Sequence, residues 1–311
     1  MSSEERAGGE HRPAMVKEVI EYLACRASQV VVDATVGSGG HAQAILPRIQ
    51  PGGRLIGIDR DPEAIERARR RVAGESVELV CENHARLEEI LDELGVEAVD
   101  GVLIDCGPSL EQLTSARRGF SFRVDGPLDM RMTPSQETTA ADLVNRLPQD
   151  ELARILGEYG GEQRARGIAR AIAAARQQQW ISTTAQLAAT IIQAIPARAR
   201  SRRLHAATKS FMALRIAVND ELGALREALT AAIRRTRPQG RIVVLTYQSL
   251  EGGATKGAFR QARDGSLCPL SPSGEAPRVR ILTKKAMRPS AEERERNPHA
   301  RSATLRAAER L

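Results

Sequence analysis

Chemistry in this chain is concentrated where apolar runs end. Val30-Val31-Val32 stops at Asp33 and leads into Thr35-Val36-Gly37-Ser38-Gly39-Gly40-His41. Leu55-Ile56-Gly57-Ile58 stops at Asp59, with Asp61 close behind. Val77 to Cys81 gives way to Glu82-Asn83-His84, and Val99 to Ile104 to Asp105. The run that begins at Arg241 ends in Tyr247-Gln248-Ser249-Leu250-Glu251. Strand, glycine-rich turn, helix, strand and acid, in that order, form the first half of a nucleotide-binding α/β unit. Glycines let the backbone approach a ligand where a Cβ would collide. The helix that follows presents unpaired N–H groups to a negative group. Asp59 falls where a carboxylate can accept both hydroxyls of a ribose.

Gly37-x-Gly39-x-x-Ala42 formally fits the pattern for NAD, and such glycines also make plain tight turns. Two details favour S-adenosyl-L-methionine. Asp33 and Thr35 put polar groups at the strand tip, suited to a cationic or zwitterionic ligand, and no hydride-transfer constellation accompanies the turn. His84, at the end of the third predicted strand, is a candidate for an adenine edge, although a lone histidine there is commonly incidental. Asp105 suits the methylation of an exocyclic amine. Such an amine is a weak nucleophile because its lone pair is delocalised into the ring. A carboxylate accepting its N–H helps localise that pair. Asp105 could equally cap the next helix. Asp105 and Tyr247 end strands that can be sheet neighbours, so Tyr247, Gln248 and Ser249 are grouped with Asp105 as candidate catalytic residues.

The elements that must position these residues occupy both ends of a 311-residue chain with 41% apolar residues, enough for a packed core. The reading is an α/β, Rossmann-like domain over residues 1–112 and 207–311, with an all-helical insertion over 113–206. In that insertion Leu152, Ile155, Leu156 and Tyr159 form one apolar stripe. Ile168 and Ile172 form another, and Leu187, Ile191 and Ile195 a third after a Thr183/Thr184 cap. A single helix is expected from about Ala207 to Arg235, with Phe211, Leu214, Val218, Leu222, Leu225, Leu229 and Ile233 on one face. Residues 1–10 are expected to be disordered. The tail from Lys284 to Leu311, with eight Lys/Arg against four Glu, reads as a basic arm.

The net charge of +7 is compatible with a nucleic-acid enzyme and with plain solubility. Arg198, Arg200, Arg202 and Arg203 form a candidate phosphate-binding cluster, or a solvated loop. The stretch from Arg117 to Met132 is a polar, glycine-punctuated loop of the kind that carries function. Its Arg118, Phe120 and Arg131 are candidate RNA contacts. Cys25, Cys81, Cys106 and Cys268 form no C-x-x-C pair, which argues against zinc or a disulfide framework and suits a reducing cytoplasm. No apolar run is long enough to span a bilayer, so no membrane partner is expected, and the chemistry needs no metal.

With these residues in view, the chain resembles the bacterial 16S rRNA cytosine-N4 methyltransferases, the RsmH/MraW family, over almost its whole length. The matching motifs include His11-x-Pro13, Asp33-Ala34-Thr35-x-Gly37-x-Gly39-Gly40-His41 and Gly57-x-Asp59-x-Asp61. They also include Arg118-Gly119-Phe120-Ser121-Phe122, Asp125 to Met132, Phe211-x-Ala213-Leu214-Arg215-Ile216-x-Val218-Asn219, Ser249-Leu250-Glu251 and Asn297-Pro298-x-Ala300-Arg301-Ser302-Ala303. The resemblance implies transfer from S-adenosyl-L-methionine to N4 of a decoding-centre cytidine in the small ribosomal subunit. It implies cofactor contacts at Gly39, Gly40, His41, Asp59, Asp105 and Gln112, with His84 at a position that is usually aromatic. Departures fall on the acceptor side. The family's S-F-H-S-L-E-D reads Thr246-Tyr247-Gln248-Ser249-Leu250-Glu251-Gly252, and its D-L-G-V-S-S reads Asp105-Cys106-Gly107-Pro108-Ser109-Leu110. They leave two alternatives open: a paralogue methylating another RNA or DNA amine, and a silent cofactor-binding RNA-interaction protein.

Overall fold

The computed structural model describes residues 12–200, 205–266 and 278–311. The expectation for residues 1–10, His11, and the candidates Arg202 and Arg203 lie outside them. The chain divides into two compact units, Met1–Gly107 with Leu222–Leu311, and Pro108–Glu221.

The first unit is built on a seven-stranded sheet. Its strands are β1 (Val30–Asp33), β2 (Arg54–Asp59), β3 (Val77–Cys81), β4 (Val99–Asp105), β5 (Thr236–Thr246), β6 (Val279–Ile281) and β7 (Thr304–Arg310). The order is β3-β2-β1-β4-β5-β7-β6. Strands β1 to β5 pair in parallel, and β7 runs antiparallel to both β5 and β6. The parallel strands are covered on both faces, as their continuous apolar runs require. Val32, Ile56, Ile58, Val102, Ile104, Ile242 and Val244 pack on one face with Leu87, Leu229 and Phe259. Val31, Leu55, Leu103, Val243 and Leu245 pack on the other with Met15, Val19, Ile45 and Ile49.

The second unit is helical. Ala140–Arg146, Gln149–Glu158, Ala165–Gln178, Thr184–Ala194 and Thr208–Asn219 are its longer helices. Thr139/Asp142 and Thr183/Gln186 make capping boxes at two of their starts. Leu152, Ile155, Leu156, Ile168, Ile172, Leu187, Ile191 and Ile195 meet in one core, so the three stripes face inward as their spacing predicts.

Two expectations are corrected. The helix predicted over 207–235 is two helices, Thr208–Asn219 and Glu221–Arg235, separated at Asp220, whose φ is 43°. Asp tolerates the left-handed conformation better than most residues. The apolar stripe is thereby shared: Phe211, Leu214 and Val218 join the helical core, and Leu225, Leu229 and Ile233 the sheet core. The boundaries accordingly fall after Gly107 and Glu221 rather than at 112 and 207. The tail is no arm. It holds a helix, Ala291–Arg296, and β7, an interior strand in which Leu305, Ala307 and Ala308 are buried.

Candidate functional site

The sheet register makes a notch at the end of β1. Asp33 pairs with Gly57 on one side and Leu103 on the other. Both neighbours run on past it, β2 to Asp59 and β4 to Asp105. Strand order reverses between β1 and β4, the switch point where ligands enter such sheets. Side chains alternate along a strand, so Asp33, Asp59 and Asp105 share the face that carries Val31, Leu55 and Leu103.

The glycine-rich turn fills the notch. Asp59 Oδ2 accepts the Gly37 N–H at 2.9 Å, and its Oδ1 accepts the Asp61 N–H at 2.9 Å. Each oxygen keeps a second lone pair. Gly37 and Gly39 have φ of 54° and 85°, where a side chain is strained. The closest approach at Gly40 is internal rather than to a ligand. A Cβ there would lie 2.9 Å from Pro13 Cγ, so Gly40 serves the packing of the N-terminal segment.

The Thr35 hydroxyl accepts the Asp105 N–H at 2.6 Å and ties the β1 turn to the tip of β4. Asp105 Oδ1 accepts from the Tyr247 hydroxyl at 3.0 Å. Asp105 Oδ2 lies 3.6 Å from His41 Nδ1, and 21% of the Asp105 side chain stays open. Strand β5 brings Tyr247 there because Asp105 pairs with Leu245. The Glu251 carboxylate accepts the N–H groups of Tyr247 and Gln248 at 2.8 and 3.1 Å, which fixes the turn into the helix Ser249–Arg263. Gln248 is that helix's N-cap, and Ser249 its first residue.

Burial sets the protonation of this cluster. It pushes the carboxyls of Asp33 and Asp105 up to about 7 and that of Asp59 up to about 6. Neighbouring acids add to the push on Asp33, and the Gly37 and Asp61 N–H groups oppose it on Asp59. Burial lowers His41, and lowers His84, beside Arg60, to about 4, so His84 is a neutral imidazole. It opens a short 3-10 helix capped by Asn83 at the end of β3. Asp33 Oδ2 is buried without a hydrogen-bond partner among the described residues. An unsatisfied buried carboxylate among partly protonated acids fits a ligand that brings positive charge and N–H or O–H donors.

Several candidates outside this cluster have local work. Gln112 lies in the helical unit, where its side chain accepts the Ser109 N–H at 3.0 Å in a capping box. Arg118 donates to the carbonyls of Arg131 and Met132, both at 3.1 Å. Arg131 forks onto Asp129 at 2.7 and 2.8 Å. Asn219 closes the same loop, accepting from Met132 N–H at 2.7 Å and donating to the Met130 carbonyl at 2.8 Å. Phe120 is buried and offers no face to a base. Arg118 and Arg131 thus hold the loop together. Arg200 donates to the carbonyls of Ile195 and Ile192 at 3.0 and 2.8 Å, closing the end of the helix Thr184–Ala194. Arg198 and Arg200 are both exposed, and Arg198 is the one of the two whose guanidinium is not engaged on that helix end.

Sequence reasoning missed Glu251, Thr35 as a tie to β4, and the Tyr247–Asp105 bond. Only the S-L-E pattern after the fifth strand pointed toward the first.

A parallel sheet that surrounds its glycine turn with acids is suited to a positively charged nucleoside cofactor. This is the arrangement of an S-adenosylmethionine-dependent methyltransferase. A family model described as the MraW methylase family matches residues 8–311, and the chain belongs to that family. It is 50% identical to ribosomal RNA small subunit methyltransferase H of Geobacter sulfurreducens, over 97% of this chain and 99% of that protein. It is 48% identical to the protein of the same name from Geotalea uraniireducens, over 97% and 98%. An rRNA methylase structure from Streptococcus thermophilus aligns over 97% of this chain and 98% of its own at 11% identity, with a TM-score of 0.42, too distant to bear on function. No helix among the described residues is long and apolar enough to cross a membrane.

The cluster makes a pH prediction. A cationic cofactor favours ionised carboxylates, so binding lowers pKa values that burial has raised to about 6–7. Protons are then released on binding, and affinity falls as pH drops through 7 toward 6. Calorimetry at pH 6.5 in buffers of different ionisation enthalpy should register that release. Proton uptake would contradict the assignment of charge.

Proposed function

We propose that the protein methylates N4 of a decoding-centre cytidine in 16S rRNA within the small ribosomal subunit. S-adenosyl-L-methionine supplies an electrophilic methyl group on a sulfonium. In this reading Asp59 accepts the ribose hydroxyls, Gly39, Gly40 and His41 border the methionine end, and His84 borders the adenine. Asp33 and Asp105 balance the positive charge. Asp105 also accepts the N–H of the target amine, with Tyr247 orienting it and Gln248 and Ser249 at the rim. The observation that carries this reading is Asp105, a partly open carboxylate held by Tyr247 and Thr35 at the tip of β4. The names of relatives that match nearly end to end supply the substrate class.

The choice between free rRNA and assembled subunit is tested by offering both with labelled cofactor. Transfer to the subunit alone, or much faster to it, is expected. Equal rates on naked rRNA would remove the subunit from the reading.

The RNA contacts separate cleanly. Arg198→Ser should lower the log–log salt slope of RNA binding by about 0.7–0.9. Arg200→Ser should instead cost about 1 kcal/mol of stability through its lost carbonyl bonds, with little change in slope. Salt titrations and denaturant unfolding of the two variants check both. A slope unaltered in Arg198→Ser returns that residue to a solvated loop.

A further inference from the structure

His41 is held by a part of the chain that neither the cofactor nor the acceptor needs to touch. Its Nε2 lies 2.9 Å from the Ala14 carbonyl. A carbonyl only accepts, so Nε2 carries the hydrogen. In the neutral ring the lone pair is then on Nδ1. Nδ1 is the nitrogen 3.6 Å from Asp105 Oδ2. A lone pair facing a carboxylate is unfavourable, so the gap between the two groups is poised to take a single proton.

The Ala14 carbonyl owes its place to the far end of the chain. Asn297 Nδ2 donates to the Arg12 carbonyl at 2.9 Å, and Glu293 Oε1 accepts the Met15 N–H at 3.2 Å. These two bonds bracket Ala14. Asn297 and Met15 are buried, and Pro13 is packed on Gly40 from the other side. Met15 sits at a left-handed φ of 53°, at the start of the helix Val16–Leu23. A short non-helical segment in that conformation needs outside support. The charged groups acting on His41 are Asp33 from β1, Asp105 from β4 and Glu293 from the helix Ala291–Arg296.

We propose that Glu293 and Asn297 are positioning residues for the transfer reaction, holding Arg12–Met15 so that Ala14 fixes His41 in the tautomer with its Nδ1 lone pair toward Asp105. The catalytic consequence rests on the methyltransferase reading. Once N4 has gained the methyl group, one of its N–H bonds breaks. The bonding pair stays on N4, and the proton passes to the Asp105–His41 pair. A ring held in the other tautomer would offer Asp105 an N–H and could not take that proton at Nδ1.

The test is 15N NMR of histidine-labelled full-length protein, with the His41 signals identified by their loss in His41→Gln. Wild type should show Nε2 protonated and Nδ1 with the shift of a bare lone pair. Glu293→Ala and Asn297→Ala should show mixed tautomers, and kcat about tenfold lower or less still, with little change in KM for the cofactor. Glu293→Gln keeps an acceptor for the Met15 N–H and should restore the wild-type tautomer and most of kcat. Wild-type protein with hydrogen on Nδ1 would overturn the proposal without any variant. So would alanine variants that lose stability yet keep both tautomer and kcat. If the tautomer follows the clamp but no methyl reaches cytidine, the positioning stands and the methyltransferase reading falls.

Discussion

Asp105→Asn should lower the rate of methyl transfer by about 10²–10⁴-fold, the usual range for a positioned acid–base group at the reacting atom. The variant keeps the side chain's size and an oxygen for the Tyr247 hydroxyl, now 3.0 Å away. The backbone bond from residue 105 to Thr35 is untouched. The fold is therefore expected to survive, and the loss falls on the charge that draws on the amine N–H. Single-turnover rates at saturating cofactor, with a thermal melt as control, measure it. A fall of less than tenfold would remove Asp105 from the chemistry. Gln248→His makes the contrast. The family's histidine at that place can exchange a proton near neutrality, and Gln248 cannot. Gln248 caps a helix through a backbone held by Glu251, and its amide can orient a cytosine edge. Its replacement should change turnover by less than about tenfold, or roughly 1.4 kcal/mol. A silent wild type rescued by Gln248→His would establish the non-catalytic alternative.

Asp59→Ala should weaken S-adenosylmethionine binding by about 1.5–3 kcal/mol, which is roughly 10–150-fold. The side chain has two tasks, since it holds the Gly37 and Asp61 N–H groups as well as the expected ribose. Part of the loss is thus looseness in the glycine turn. Asp59→Asn separates the two: it keeps one acceptor for the turn and gives up the charge. Calorimetry on both variants, beside unfolding curves, apportions the effect. Unchanged affinity in the alanine variant would take Asp59 out of the site. Binding of NADH in the same instrument would revive the dehydrogenase reading of the glycines.

The acids were legible in the sequence because each ends an apolar run, and strand ends of a parallel sheet face one crevice. Tyr247 was legible as a neighbour of Asp105 for the same reason, since β4 and β5 are adjacent. What pairs with what was not. The bond between the Tyr247 hydroxyl and Asp105, and the reach of Asn297 to Arg12, join residues far apart in the chain, and no local pattern encodes them. Strand β7 was hidden by its composition. Leu305, Ala307 and Ala308 are small or few beside Arg306, Glu309 and Arg310, so the stretch reads as a charged tail. The break at Asp220 was hidden by continuity, because the apolar stripe keeps its period across it. The arginines' local partners were hidden for a related reason. In the 117–132 loop, Arg118 and Arg131 donate to the loop itself, which no local pattern announced.

The central claim is that a methyl group passes from S-adenosylmethionine to a cytidine N4 in the small subunit. Its most direct test uses small subunits from a strain lacking the native enzyme, incubated with this protein and methyl-tritiated cofactor. The rRNA is then digested and its nucleosides separated. Label in N4-methylated cytidine is the predicted result, and label in another nucleoside, or none from protein that binds the cofactor, would contradict it.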